Sequence, residues 1–348
     1  MIRTDTVLIV GAGASSEFKF PLGGALLQEI ATNVTFGSRS GYGVDLAAPR
    51  RLFDELQRIA RGDPERWGPY GVAANRIIDA APMALSIDNV IHQNSDSKHV
   101  EIVGKVATAE AILRYEKHSA LYDTNDPFTV PTGALKNTWM LGLGQLLTTD
   151  VERRNAGNIF DRLRIITFNY DRTIERALPF ILTRAYGMNI TEAQAIIREK
   201  LRIYHPYGQV GSLEWWPQTN VEVGYGRDAF GRLNKVIEGL KTFSESLNEA
   251  DSDIIAIRDA AQSAQRLIFI GFGFHDQNMA LLRHPKHDSQ ANQVLATVYG
   301  EATPVRVANA AAIKNTFWHE GKRSPADPDI IDLPCNTFMW DYRKQIAS

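Results

Sequence analysis

The sequence predicts an α/β protein in which a parallel sheet carries helices on both faces and a helical insertion interrupts the chain. Three observations carry that prediction. Short apolar runs at Thr6–Val10, Arg162–Phe168 and Arg266–Ile270 read as buried strands. Helical stretches separate these runs, the alternation expected of a parallel sheet. Glycine or polar residues follow each run at once: Gly11-Ala12-Gly13, Asn169-Tyr170-Asp171 and Gly271-Phe272-Gly273. In open sheets of this class, ligands bind at that carboxyl edge.

The elements follow in order. After the first strand and its glycine turn, a helix is expected over Leu22–Asn33, with Leu26, Leu27 and Ile30 forming its apolar stripe. Residues 35–157 read as a mainly helical insertion. It opens with a loop at Gly37–Gly43 and continues with helices at Leu52–Ala60, Ala73–Ile78, Ile87–Gln93, Val100–Glu116 and Leu135–Leu147. Residues 1–34 and 158–348 form the sheet domain, Rossmann-like in type. There Thr173–Leu178 begins a helix, Arg202-Ile203-Tyr204 is a short strand, and Gly208 to Arg232 is a long loop. Lys235–Ala264 is expected to be helical, with further strands at Gln293–Tyr299 and Thr337–Trp340.

Composition narrows the function classes. With 348 residues the chain exceeds the usual single core, so one elaborated domain or two lobes is expected. A net charge of −2 gives no general pull toward nucleic acid or anionic lipid. The single cysteine, Cys335, excludes an internal disulfide and any zinc site built on two or more cysteines, and no metal is expected. There is no apolar run of about 18 residues, so no membrane span is expected, and the N-terminus lacks the apolar stretch of a secretion signal. The cytoplasm is the expected compartment.

Four signals carry chemistry. Gly11-Ala12-Gly13-Ala14-Ser15 follows a strand, and its glycines allow a close approach to a pyrophosphate. Ser16 stands where a third glycine would complete the dinucleotide pattern, and Glu29 is the sole candidate for the ribose-binding acid. A tight strand–helix turn without ligand is the competing reading. Asn169 and Asp171, two residues apart at a strand end, can face one crevice; alternatively Asn169 turns the chain and Asp171 caps the next helix. His205, at a sharp exit before Pro206-Tyr207-Gly208, can act as a general base or serve as a structural hydrogen-bonding residue. Gly271, Gly273 and Asp276 repeat the strand-then-glycine logic, with Asp276 and Asn278 able to bond sugar hydroxyls or cap a helix. His284, His287 and Asp288 read as solvated surface, Cys335 as a small core residue, and Trp215 with Trp216 as either a pocket wall or buried loop residues.

In order and approximate spacing, these signals resemble the sirtuin (silent information regulator) family, and within it the divergent bacterial sirtuin-like NADases. Val10–Ser15 resembles the opening NAD-binding motif, and Pro21 stands where the cofactor loop has a proline. Ser86-Ile87-Asp88 resembles a segment common in the NADase branch. Thr167-Phe168-Asn169-Tyr170-Asp171 matches the Thr-x-Asn-x-Asp element. His205 with Gly208 resembles the His-Gly element, although Pro206-Tyr207 loosens its spacing. Gly271, Gly273 and Asp276 resemble the late ribose-contacting strand end. The four-cysteine zinc module and the acyl-lysine groove of the deacetylases are not recognisable.

The resemblance implies an NAD glycohydrolase that takes NAD as substrate and releases nicotinamide and ADP-ribose. In that reading Asn169 positions water, His205 takes a proton, and Asp171 orients the nicotinamide riboside. The pyrophosphate lies over Gly11, Ala12, Gly13, Ala14 and Ser15, with Pro21, Gly271, Gly273 and Asp276 completing the NAD site. Members of the branch are often antiphage effectors that deplete NAD. A homo-oligomer is expected, and a HerA-like ATPase or another defence-system sensor is the candidate partner. Three rivals remain: a module binding NAD or ADP-ribose without turnover, a zinc-independent deacylase or ADP-ribosyltransferase, and an oxidoreductase. The last is weakened because the sequence offers no clear ribose-binding acid and no Tyr-Lys hydride-transfer pair.

Overall fold

The computed structural model describes residues 1–35, 47–63, 66–126, 128–247, 252–319 and 327–348. The loop expected at Gly37–Gly43 lies outside them. Six parallel strands run in the order β3-β2-β1-β4-β5-β6: β1 Thr6–Val10, β2 Leu163–Thr167, β3 Arg202–Tyr204, β4 Arg266–Ile270, β5 Gln293–Val298 and β6 Asp329–Asp332. This is the strand order of dinucleotide-binding Rossmann sheets, and the direction of winding reverses between β1 and β4.

Every residue of β1 and of β4 is buried, because both faces of the sheet are covered. Leu8, Val10, Ile165 and Ile268 join one core cluster. Val7, Ile9, Ile166 and Phe269 join the other. The period of two along each strand thus supplies two cores. The first core takes in the insertion helices Trp67–Ala80, Lys98–His118 and Trp139–Thr148 through Ala74, Val103 and Leu143. The second is closed by the helices Ser252–Ser263 and Thr303–Phe317 through Ile257 and Ile313. Among the described residues, no helix is long and apolar enough to cross a membrane.

Three expectations are corrected. Thr337–Trp340 is not a strand but part of the helix Cys335–Asp341, entered through Pro334 in extended conformation. The sixth strand is Asp329–Asp332, whose two central isoleucines between aspartates suit an edge but give a weak signal. Lys235–Ala264 is not one helix. A short turn at Leu233–Val236 ends near Gly239, and a capping box of Thr242 and Glu245 restarts the chain at Phe243–Ser246. The helix expected from Leu135 begins only at Trp139, after Asn137 takes a positive φ of 61°.

Candidate active site

At the carboxyl ends of β1, β2, β4 and β5 lies a cavity of about 660 Å³, within the range of roughly 300–1,000 Å³ typical of small-molecule sites. Residues at or just after the ends of these strands reach it: Gly11 to Gly13 with Ser15 to Glu17, Phe168 to Asp171, Gly271 to Gly273, and Thr297 to Tyr299. Pro21 and Leu22 line it from the loop after β1, and Ser86 to Asn89 from the insertion. The helical insertion therefore supplies one wall.

The glycine turn is built by packing as much as by any ligand. A Cβ on Gly11 would stand 2.5 Å from the Gly271 carbonyl oxygen, and one on Gly13 would stand 2.8 Å from the Gly271 Cα. Gly271, at φ +54°, has its own Cβ position 2.1 Å from the Ala14 nitrogen. The two strand ends thus interlock backbone to backbone. Main-chain bonds also use the turn's amides: Gly11 donates to Ile270 (3.0 Å), Gly13 to Gly271 (2.9 Å) and Ala14 to Gly11 (3.0 Å).

Asn169 lines the cavity, and its orientation is fixed. Its Nδ2 donates to the Gly11 carbonyl at 3.0 Å and to Ser15 Oγ at 2.8 Å. A carbonyl only accepts, so the amino group must be the end that faces Gly11. Among the described residues no protein group donates to its Oδ1, which stays available to a hydroxyl or water. Ser15 Oγ passes the chain on, donating to Asp171 Oδ2 at 2.8 Å, while Asp171 Oδ1 accepts from the Thr173 amide at 3.0 Å. Asp171 thus both caps the helix Thr173–Tyr186 and braces Ser15. Burial pushes its carboxyl pKa up, against the hydrogen bonds that lower it.

His205 stands elsewhere. It is not among the residues lining this cavity; it lines a second one, against β3. Its Nδ1 meets the Asn169 main-chain carbonyl at 3.2 Å, and its Nε2 meets Glu175 Oε1 at 2.8 Å. Burial lowers its pKa, but the Glu175 carboxylate and the Asn169 carbonyl outweigh that, leaving it above the ordinary 6.5. With both nitrogens donating, the imidazolium has no lone pair for a proton from the first cavity. The amide and the imidazole therefore sit back to back, joined through the main chain of Asn169.

The remaining expected residues divide. Ala12, Ser15, Pro21 and Gly273 line the cavity, whereas Ala14 is buried behind it and Asp276 is exposed outside it. His284 bonds the amides of Lys286 and His287 in its own turn. Among the described residues no group of three or more His, Cys, Asp or Glu could hold a metal. Cys335 lines the cavity, but burial pushes its thiol up to about 12, far from a thiolate nucleophile.

Sequence reasoning gave no role to Asp88, although Ser86-Ile87-Asp88 was part of the resemblance. Ser86 caps the helix Ile87–Gln93 and sets Asp88 in its first turn, at the cavity wall. Burial raises the Asp88 pKa, and the Tyr170 hydroxyl donates to its carboxylate. Asn89 reaches Gln277 at 3.0 Å, joining the insertion to the segment after β4. No Lys or Arg lines the cavity among the described residues; its acids are Glu17, Asp88, Asp171 and Glu301.

With that geometry in place, comparison with known families is informative. Residues 163–319 match the SIR2-like domain. The match spans β2 to β5 and includes Asn169, Asp171, His205 and Gly271, while the turn after β1 lies outside it. It supports a sirtuin-like family and speaks for NAD-related activity in general. A search of curated proteins returns no match.

Proposed function

We propose that the chain binds NAD in the first cavity and hydrolyses its nicotinamide–ribose bond, giving nicotinamide and ADP-ribose. The observation that carries this reading is the Asn169 side chain, locked by both amide hydrogens at the sheet's switch point with its oxygen left for a ligand. As the bond breaks, its electron pair neutralises the nicotinamide nitrogen and positive charge grows on the ribose. A cavity with four acids and no lining cation favours that charge where it develops. Asn169 Oδ1 holds the attacking water, and Asp88, whose pKa burial has raised, is the candidate to take its proton. His205 is then a positioning residue, fixing the main chain that carries Asn169.

The NAD-depleting antiphage role, the homo-oligomer and the HerA-like ATPase partner belong to the same proposal and rest on the resemblance. One observation favours a second reading, a module that binds NAD or ADP-ribose without turnover: both His205 nitrogens are already engaged.

Nicotinamide release from NAD by the full chain separates the two. Asn169→Ala is expected to lower release by about 100-fold or more, beyond what its loss of two buried hydrogen bonds takes from the melting temperature. Release that persists in this variant removes Asn169 from the mechanism. NAD binding without any nicotinamide release, alone or with the defence partner, selects the binding module.

A further inference from the structure

The second cavity, about 600 Å³, lies against the edge strand β3 and is distinct from the first. Four cationic side chains line it, Arg198, Arg202, Lys235 and Lys241, against the acids Glu238 and Asp253. Lys241 pairs with Asp253 at 3.1 Å. Arg198, Arg202 and Lys235 have no carboxylate within ion-pair distance among the described residues, and all three are exposed at the cavity mouth.

Buried polar groups without partners lie beneath this cavity. Gln209 lines the cavity and is 2% exposed, yet neither end of its side-chain amide has a hydrogen-bond partner. The indole N–H of Trp216, another lining residue 3% exposed, is likewise unpartnered. Buried donors and acceptors without partners are costly and uncommon in folded proteins. These atoms lie sealed beneath the cavity floor; what faces an occupant is the three cations that have no ion-pair partner among the described residues. Trp216 and Tyr204 offer flat apolar surface beside them.

We infer that this cavity binds a phosphorylated small molecule of nucleotide size. Arg198, Arg202 and Lys235 meet its phosphates, and the half-buried Tyr204 offers a flat face to its other half. His205 lines the same cavity, so the occupant rests one residue away from the main chain that holds Asn169. The inference does not depend on NAD cleavage in the first cavity.

The test is calorimetric titration of the full chain with ADP and with inorganic pyrophosphate. Arg202→Glu with Lys235→Glu is expected to weaken ADP at least tenfold; both positions are exposed, so the fold is retained. Ser16→Trp, which obstructs the first cavity, is expected to leave that ADP site in place. Arg198→Glu with Lys235→Glu gives a second, independent pair. Pyrophosphate is expected to bind more weakly than ADP and to lose affinity in the same charge variants. The inference is overturned if neither probe binds at millimolar concentration. It is equally overturned if affinity is unchanged in both charge-reversal pairs, or if ADP binding is lost only in Ser16→Trp.

Discussion

At the scale of single residues, the decisive pair is His205 and Glu175. The Glu175 carboxylate is 1% exposed, and only one of its oxygens has a partner. An imidazolium is what makes such a carboxylate tolerable. The folded His205 pKa lies above the ordinary 6.5, so its contribution to stability is fully present below pH 6.5. That contribution is lost as the pH rises through the raised folded value. For His205→Gln, the stability deficit relative to wild type is therefore expected to be widest below pH 6.5 and to narrow at higher pH. Urea midpoints across that range check it; a deficit that widens with pH would mean the histidine is buried neutral. The sequence showed that His205 leaves β3 at a sharp exit. It could not show which cavity the ring enters, because that depends on Glu175, a residue on a helix 30 positions away.

At the scale of elements, the interlocked turns after β1 and β4 decide where substitutions are tolerated. Gly271→Ala places a Cβ against the Ala14 nitrogen at 2.1 Å and forces an L-residue to φ +54°. Overpacking of about 1–3 kcal/mol then adds to a left-handed cost of about 1–2 kcal/mol. Gly300, at φ +73° with nothing within 4 Å of its Cβ position, bears only the second cost on the same change. Thermal melts are expected to show a clearly larger drop for Gly271→Ala than for Gly300→Ala, even without NAD. Equal drops would mean that the turn relaxes and that its glycines serve a ligand alone. The strand-then-glycine pattern was legible in the sequence for both turns. Their contact was not, because residues 11 and 271 meet only when β1 and β4 pair in the sheet. Short or interrupted elements were also poorly legible. β6 has four residues, and the segment after Lys235 is broken at Gly239 and restarted by a local cap.

At the scale of the molecule, the helical insertion is bound to the sheet domain by a fully buried ion pair. Arg172, directly after Asp171, is 0% exposed, and its Nε donates to Glu116 at 2.9 Å. Glu116 Oε2 also accepts from the Gly226 amide at 3.1 Å, drawing the long loop into the same junction. Removing one partner strands the other charge, at a cost of about 3–5 kcal/mol. Glu116→Ala is therefore expected to lose stability on that scale and to lower the proposed NAD cleavage with it, since Arg172 adjoins the Asn169–Asp171 turn. Glu116→Met with Arg172→Leu is expected to recover much of the stability, as measured by urea unfolding. If the double variant is no better than Glu116→Ala, the pair holds the junction through more than charge compensation.

The order of apolar runs, their spacing by helices and the polar residues after each were enough to determine strands β1 to β5, the edge of the sheet that carries the first cavity and the resemblance to sirtuins, because local pattern dictates local structure. What only the tertiary structure decided is which side chains share a cavity. Asp88 enters the first from the insertion, His205 turns away into the second, and Gln209 is left there without a partner. Those outcomes depend on contacts between segments far apart in the chain, which no periodicity encodes.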